Sequence, residues 1–187
     1  MDPIDRQLIV KLQEDGRAKL VKLGKSLNLS HVAVKDRLNR LLREEKIKVS
    51  ANLSVKEFNL KMVTILVEVE SYQRLKELIE IYKDCPRLVF MSTLIGTYNL
   101  IAIMVAENQT TLESMALGTC SLRSQNGIRH SVAHLSGTTI RPLYLPIKLS
   151  VERSDVAPCN IPCDTCERYK IEQCLGCPAT WFYRGSI

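Results

Sequence analysis

The sequence contains no uninterrupted apolar run of about 18 residues, which excludes a conventional membrane-spanning helix. Its first residues, MDPIDRQL, are polar and carry no apolar signal core, so we do not expect export. A phosphate-binding loop, a dinucleotide-binding glycine fingerprint and a Ser-His-Asp order are also missing. Of the three histidines, His130 and His134 share one face of a predicted strand. These absences predict a cytoplasmic protein that is not an enzyme.

The net charge of +6 is concentrated at one end of the 187 residues. Residues 1–50 contain twelve lysines and arginines against seven acidic residues, a net charge of +5, whereas residues 149–187 carry −1. A basic N-terminal segment predicts a polyanionic partner, with nucleic acid first. A solvated basic surface would have the same composition, so charge alone does not decide.

Three short helices are predicted in residues 1–50. Asp2 is a good N-cap and Pro3 a good first residue for the first helix. A second helix is predicted over about 18–27, and Ser30 caps a third, longer and basic one. A short helix, a tight turn and a longer basic helix make up the helix-turn-helix plan.

The third helix has an apolar and a polar face. Val34 and Leu41 lie on the apolar side, so the opposite side is expected to face solvent. There Lys35 can contact phosphate or guanine, Asn39 can pair with adenine, and Asp36 can accept from a cytosine amino group. The predicted DNA-binding residues are Ser30, His31, Val32, Lys35, Asp36 and Asn39 on this helix, with Arg17, Lys22 and Arg40 at phosphates.

From residue 51 the periodicity changes to one typical of strands. Strands are predicted over 62–69, 87–94, 100–106 and 129–140, with helices over 72–83 and 110–124. This order is the ferredoxin-like βαββαβ arrangement. The two helices are expected to cover one face of the sheet, and a second subunit is the simplest cover for the other.

Several short motifs occur along the N-terminal domain: Ile4-Asp5-Arg6, Asp15-Gly16-Arg17, Leu29-Ser30, Ala33-Val34, Arg37 and Arg40-Leu41. With these motifs, the first 145 residues resemble the Lrp/AsnC, or feast/famine, transcription regulators. The resemblance implies a (winged) helix-turn-helix domain followed by a ferredoxin-like domain that binds effectors and assembles dimers, commonly octamers.

The same resemblance implies an effector-binding loop at Gly96, Thr97, Tyr98 and Asn99. The family usually carries an acidic residue where this chain has Asn99. A carboxylate binds an ammonium group better than a neutral amide does, so this departure weakens the expectation of amino-acid sensing.

The C-terminal segment contains two CxxC pairs, which can close a tetrahedron around one ion. We predict structural zinc, with an iron–sulfur cluster on the same thiolates as the alternative. Which four of the five cysteines coordinate stays open. The isolated Cys85 and Cys120 are interpreted as small buried apolar side chains. The predicted metal ligands are Cys159, Cys163, Cys166, Cys174 and Cys177.

The chain is therefore predicted to be an α+β protein with four segments. These are a helix-turn-helix domain (1–50), a ferredoxin-like effector and oligomerisation domain (51–145), a linker (146–158) and a cysteine-rich metal knuckle (159–187). The predicted function is that of a sequence-specific DNA-binding transcription regulator, acting as a dimer or higher oligomer on double-stranded DNA. Two other classes stay open: an enzyme of the related haem-pathway decarboxylases, and a factor that docks on the transcription machinery.

Overall fold

The computed structural model describes residues 1–187, which form two compact units, Met1–Ala51 and Asn52–Ile187. The predicted α+β class, with a helix-turn-helix and a βαββαβ sheet, is confirmed. None of the helices has the length and apolar content needed to cross a bilayer.

The first unit consists of three helices: α1 (Pro3–Glu14), α2 (Leu20–Leu27) and α3 (His31–Arg43). Local signals set their ends. Asp2 caps α1 in a capping box. The turn between α2 and α3 passes through Asn28, whose φ of 54° is left-handed. The Ser30 side chain then accepts a hydrogen bond from the Ala33 N–H at 3.1 Å and begins α3.

The core of this unit is small and is formed by one residue or more from each helix. Leu8 of α1, Leu23 of α2, and Val34 and Leu41 of α3 are almost fully buried against one another. Gly24 permits the close approach of the chain after α2, because a Cβ there would lie 2.6 Å from the Leu29 carbonyl oxygen. This packing fixes which face of α3 points outward.

The elements of the second unit are β1 (Leu53–Ser54), β2 (Lys61–Val69), α4 (Tyr72–Tyr82), β3 (Leu88–Thr93), β4 (Leu100–Ala106), α5 (Gln109–Leu117), β5 (Ile128–Leu135), β6 (Tyr144–Leu145) and α6 (Glu167–Lys170). Four of the strands form an antiparallel sheet in the order β3-β4-β2-β5.

The predicted helix over 110–124 ends early, at Leu117, and a separate 3₁₀ turn follows. Gly118 has an extended backbone there and permits the close approach of the Ser114 carbonyl oxygen, which would lie 2.5 Å from a Cβ at this position.

The two faces of the sheet differ. On one face, Val63, Ile65 and Val67 of β2 are fully buried under Leu78 of α4 and Leu112 of α5. On the other face, the short β1–β6 ribbon covers only one end of the sheet, next to Met62 and Val105. The rest of that face carries apolar side chains without a cover: Leu66, Phe90, Ile101, Ile103 and Val132.

The C-terminal segment packs on the helix-covered side of the sheet unit. Its regular structure is limited to α6, and it is fastened by hydrogen bonds to α5. The Leu175 N–H donates to Thr111 Oγ1 at 3.0 Å, and Ser114 Oγ donates to the Gln173 carbonyl oxygen at 2.8 Å. Residues 159–187, called the cysteine tail below, therefore belong to the second unit.

Candidate nucleic-acid interface and cysteine cavity

The outward face of α3 presents a compact set of polar side chains. His31, Lys35, Asp36 and Asn39 are exposed, and Val32 beside them is 52% exposed. No ion-pair partner lies within 4.0 Å of Lys35 or Asp36. These groups form no contacts that would hold them to their own unit, so they are available to another molecule.

Further cations lie on the same unit outside α3. Arg17 and Lys22 are exposed, and neither guanidinium nor ammonium has an ion-pair partner within 4.0 Å. Only the backbone N–H of Arg17 is engaged, by Asp15 Oδ1 at 2.9 Å. Lys19 and Lys25 are also exposed and unpaired; sequence reasoning did not select them, although their charge was visible.

Asp5 organises the opposite side of α3. Its carboxylate is almost completely buried and accepts from Arg37 Nη1 at 2.8 Å and from Arg40 Nη2 at 2.6 Å. Arg37 Nη1 also reaches Asp2 Oδ2 at 2.5 Å. Burial would raise the pKa of Asp5, but the hydrogen bonds from Arg37 and the Asp2 N–H and the charge of Arg40 outweigh it and lower the pKa. The cluster ties α1 to α3.

This cluster changes the position assigned to Arg40. The phosphate contact predicted for it competes with the ion pair to Asp5, and its Nε is buried without a hydrogen-bond partner. Its side chain is still 41% exposed, so Nη1 can reach a phosphate without leaving Asp5. Ser30, likewise, uses its hydroxyl to cap α3. Of the predicted DNA-binding residues, Arg40 and Ser30 therefore also help to hold α3 in place.

The loop implied for effector binding lies between β3 and β4. Gly96 and Thr97 are exposed and Tyr98 is half-buried. Asn99 is turned inward: its Oδ1 accepts from the Val69 N–H and its Nδ2 donates to the Val69 carbonyl oxygen, both at 2.8 Å. Because both polar atoms of the amide are engaged, Asn99 secures the end of β2 in this structure and does not face a ligand.

Asn99→Asp is expected to lower the free energy of unfolding of the sheet unit by about 1–3 kcal/mol, because the carboxylate loses one hydrogen bond and faces the Val69 carbonyl oxygen. Chemical denaturation at neutral pH measures this. The control is Asn126→Asp, an exposed position whose side chain makes no hydrogen bond. Equal stabilities of the two variants would refute the inward role of Asn99.

The histidines on β5 do not form a joint site. His130 Nδ1 lies 2.8 Å from Glu68 Oε2 and its side chain is 74% exposed, while His134 is exposed opposite Thr64. They lie four residues apart on the strand, and they belong to no group of three histidine, cysteine or carboxylate side chains that could hold a metal ion.

All seven cysteines line a single cavity of about 60 Å³ between the tail and the sheet unit. The five predicted metal ligands, called the tail cysteines below, form one wall. Cys85 from the turn after α4 and Cys120 from the turn after α5 complete it. The interpretation of Cys85 and Cys120 as isolated apolar side chains was therefore incomplete. None of the seven thiols forms a disulfide.

Burial dominates the electrostatics of this cavity. It raises the pKa of Cys85 to about 11 and that of Cys177 to about 12, in both cases mainly by desolvation of the thiolate. Neighbouring thiols act in the same direction on Cys120. No three cysteine, histidine or carboxylate side chains lie close enough together to hold one metal ion.

A buried ion pair fixes the tail beside the cavity. Arg87 Nη1 lies 2.5 Å from Glu107 Oε2, and both side chains are less than one-tenth exposed. Arg87 Nη2 also donates to the Gly176 carbonyl oxygen at 3.0 Å, and Tyr183 donates its hydroxyl proton to Glu107. Sequence reasoning missed this contact because its partners are about 70 to 90 residues apart in the chain.

Comparison with known proteins defines the class of the N-terminal unit. Residues 1–42 match the AsnC-type helix-turn-helix domain. An uncharacterised helix-turn-helix transcriptional regulator of Pyrococcus horikoshii is 24% identical over 118 residues, which cover 63% of this chain and 75% of that protein. A regulator of Pyrococcus abyssi with the same description matches equally.

Solved structures extend the likeness to the sheet. Escherichia coli AsnC superposes with a TM-score of 0.65 at 12% identity, covering 75% of this chain and 94% of its own. A transcriptional regulator of Neisseria meningitidis, solved in complex with L-methionine, gives 0.68 at 20% identity and covers 76% and 94%. The chain thus has an AsnC-type helix-turn-helix domain and shares the fold of these regulators over about three quarters of its length. The quarter without a counterpart is about as long as residues 146–187.

Proposed function

We propose that this protein is a sequence-specific, DNA-binding transcription regulator of the Lrp/AsnC type. The observation that carries the proposal is the outward face of α3, where Lys35 and Asn39 are exposed without partners inside an AsnC-type helix-turn-helix domain. In a helix-turn-helix the second helix, here α3, enters the major groove and contacts base edges with its N-terminal residues. Lys35 and Asn39 lie in the first three turns of α3.

The roles of the interface residues follow from their chemistry. Asn39 can form a bidentate pair with adenine, and Lys35 can donate to guanine or to phosphate. His31 and Val32 stand at the start of α3, where the helix approaches the bases, and Val32 offers an apolar contact for a thymine methyl group. The unpaired cations outside α3 set the position of the unit on the phosphate backbone.

The active form is proposed to be a homodimer or a higher oligomer. The uncovered sheet face is apolar at its centre, where Leu66, Ile101 and Ile103 adjoin, and Phe90 beside them is 48% exposed. A second copy of the chain is the simplest cover for a patch of this kind. Two protomers related by a two-fold axis would then present two α3 helices to successive major grooves of a pseudo-palindromic site.

A small-molecule effector is proposed to act on this assembly. The structure of the Neisseria meningitidis relative contains L-methionine, which shows that a regulator of this fold can bind an amino acid. Here the loop from Gly96 to Tyr98 is the candidate contact, without the Asn99 amide. At position 99 the protein offers no carboxylate to the ammonium group of a ligand bound at this loop.

Lys35→Ala and Asn39→Ala test the proposal. Each is expected to weaken binding to a selected duplex by about 5- to 150-fold per half-site, as expected for the loss of a base contact of about 1–3 kcal/mol. Asn39→Ala should also relax the preference for one base pair, whereas Lys35→Ala should lower the affinity for all sequences if it contacts phosphate. Fluorescence anisotropy with the selected duplex and single-base variants measures both.

The matched control is Lys83→Ala, which removes the same charge from the exposed end of α4 in the other unit. It should bind as the unchanged protein does. Since Lys35 and Asn39 are exposed, their variants should also unfold at an unchanged temperature. Full affinity in both α3 variants would contradict the assigned face, and failure to select any duplex would contradict DNA binding altogether.

A further inference from the structure

The cysteine cavity has no part in the DNA-binding proposal, and its composition is unusual. It gathers every cysteine of the chain, although the seven residues are spread over more than 90 positions and belong to two different parts of the second unit. Free cysteines that only fill a core have no reason to converge on one space, because they behave as ordinary small apolar side chains. A shared ligand for sulfur is such a reason.

The convergence is fixed by contacts that involve no sulfur atom. Arg87 holds the Gly176 carbonyl oxygen, and Thr111 and Ser114 of α5 hold the backbone at Leu175 and Gln173. Together they place the second CxxC pair, Cys174 and Cys177, over the sheet unit. Gly176 between them has φ +83°, and a Cβ there would approach the Phe182 carbonyl oxygen to 2.8 Å. The fold therefore places this CxxC pair independently of thiol packing.

The volume of the cavity is too large for a single ion. A water-sized sphere needs roughly 10–15 Å³, so the observed 60 Å³ has room for several atoms. Four thiolates around one zinc ion, each with a Zn–S bond of about 2.3 Å, would have sulfur atoms roughly 3.8 Å apart. No three metal-binding side chains here have the spacing required for one ion. The arrangement suits a polynuclear group better than the predicted zinc ion.

The chemistry of the lining narrows the occupant further. The cavity wall is almost wholly apolar, so it offers ordered water few of the two to four polar partners that it needs. No carboxylate lines the cavity, which disfavours magnesium, calcium and manganese. Soft thiolates favour zinc, copper(I) and iron–sulfur clusters, and of these three the iron–sulfur cluster is the polynuclear group.

We infer that the cavity binds an iron–sulfur cluster, held by four thiolates from the five tail cysteines, and that this cluster fastens the tail to the sheet unit. Each coordinating thiol releases its proton to solvent as it binds iron, and the cell supplies the iron and the inorganic sulfide. Cys120 is assigned to the wall and not to the ligands, since its thiol donates weakly to the Ser114 carbonyl oxygen at 3.8 Å. Cys85 is assigned likewise, because it lies on the sheet side of the cavity and outside both CxxC pairs.

The charge around the cavity agrees with this occupant. A cluster on four thiolates carries a net negative charge, and the guanidinium of Arg87, which is also paired with Glu107, lines the cavity. Arg168 lies close by, with its Nε donating to Ser114 Oγ at 2.6 Å. The hydrogen-bond donors available to the sulfurs include the Gly176 N–H, 3.4 Å from Cys174 Sγ. Such donors tune the potential of a cluster.

The test uses the full-length protein, expressed and purified without oxygen and without added metal. We expect a brown protein that absorbs near 400 nm and contains iron and acid-labile sulfide in equal amounts. The variant Cys163→Ser/Cys174→Ser, which removes one thiol from each CxxC pair, should lose the colour, the iron and the sulfide. Colourless protein with one zinc per chain, protein with copper and no sulfide, or protein free of metal would each overturn the inference.

Two further variants keep the outcome independent of folding. Cys85→Ala should keep the cluster. If Cys85→Ala lost the cluster while Cys163→Ser/Cys174→Ser kept it, the assignment of the ligands to the tail would be refuted. Trp181→Ala changes an exposed tail residue outside the cavity and should also stay brown. Circular dichroism shows whether each variant is folded. DNA binding is measured separately with the Lys35 and Asn39 variants, so its result does not depend on whether the protein contains a cluster.

Discussion

Asp5→Ala is expected to lower the free energy of unfolding of the N-terminal unit by roughly 2–4 kcal/mol, somewhat less than the 3–5 kcal/mol typical of a fully buried pair because Arg37 and Arg40 are partly exposed. The change removes the acceptor of both guanidinium groups and one side of the capping box at Asp2. Of the ion pairs between the start of α1 and α3, only the one between Arg37 and Asp2 remains. Hydrogen exchange of residues 3–43 measures the effect on this unit within the whole chain.

The control for this prediction is Asp36→Ala, the same chemical change on the exposed face of α3. Asp36 has no ion-pair partner, so its variant should stay within about 0.5 kcal/mol of the unchanged protein. Its removal should also favour DNA, since a carboxylate on this face repels phosphate. If the exchange rates of the Asp5 and Asp36 variants were the same, the buried cluster would contribute nothing to the unit.

The same cluster predicts the acid response of the unit. The hydrogen bond from Arg37 lowers the pKa of Asp2 below its ordinary value of 3.8, and the pKa of Asp5 is also lowered. A carboxylate with a lower pKa in the folded state stabilises that state above the unfolded pKa, and the stabilisation is lost as the pH falls through the folded one. The unit should therefore keep this contribution at neutral pH and lose it below about pH 4. In Asp5→Ala, that acid-dependent loss should be smaller.

Raising the salt concentration from 50 to 200 mM is expected to lower the affinity for DNA by about 10³- to 10⁵-fold if a dimer makes 6–10 phosphate contacts. Each protomer exposes at least four unpaired cations on its first unit, Arg17, Lys22, Lys35 and Arg43, so a dimer can reach that number. Counterions released from the duplex cause the dependence. Anisotropy titrations at several salt concentrations give the slope of log affinity against log salt.

Variants with fewer cations should change this slope in a defined way. Arg17→Ala, applied to both protomers of a dimer, should reduce it by about two, since each phosphate contact contributes about 0.9. Lys83→Ala, outside the unit, should leave it unchanged. An affinity that hardly varies with salt would mean that the basic surface does not contact phosphate and that its charge serves only solvation.

Local signals explain how much of the fold followed from the sequence. Asp2, Ser30 and Asn28 specify helix ends through their own side chains and backbone preferences, and the structure places each at the expected end. The strand β4 has the predicted bounds because its apolar run is short and rich in β-branched residues. Gly118 was the exception: its effect depends on the approach of the Ser114 carbonyl oxygen, which periodicity does not show.

The candidate sites followed from the sequence only in part. The outward residues of α3 could be predicted, because one apolar face fixes the other. The pairing of Asp5 with Arg40 and the inward turn of Asn99 depend on contacts between residues about 30 positions apart. Cys85 and Cys120 lie beside the tail cysteines because Arg87 and α5 hold the tail against the sheet unit. Such long-range contacts leave no periodic signal in a single sequence.

Methylation interference on a duplex selected from random sequence tests the central claim most directly, since it reports on guanine N7 in the major groove. If α3 reads DNA as proposed, interfering guanines should form two clusters about 10 base pairs, or a multiple of one helical turn, apart. Asn39→Ala should bind the same duplex more weakly while leaving the spacing unchanged. Binding that no major-groove methylation disturbs would contradict the account, because α3 would then lie elsewhere than in the groove.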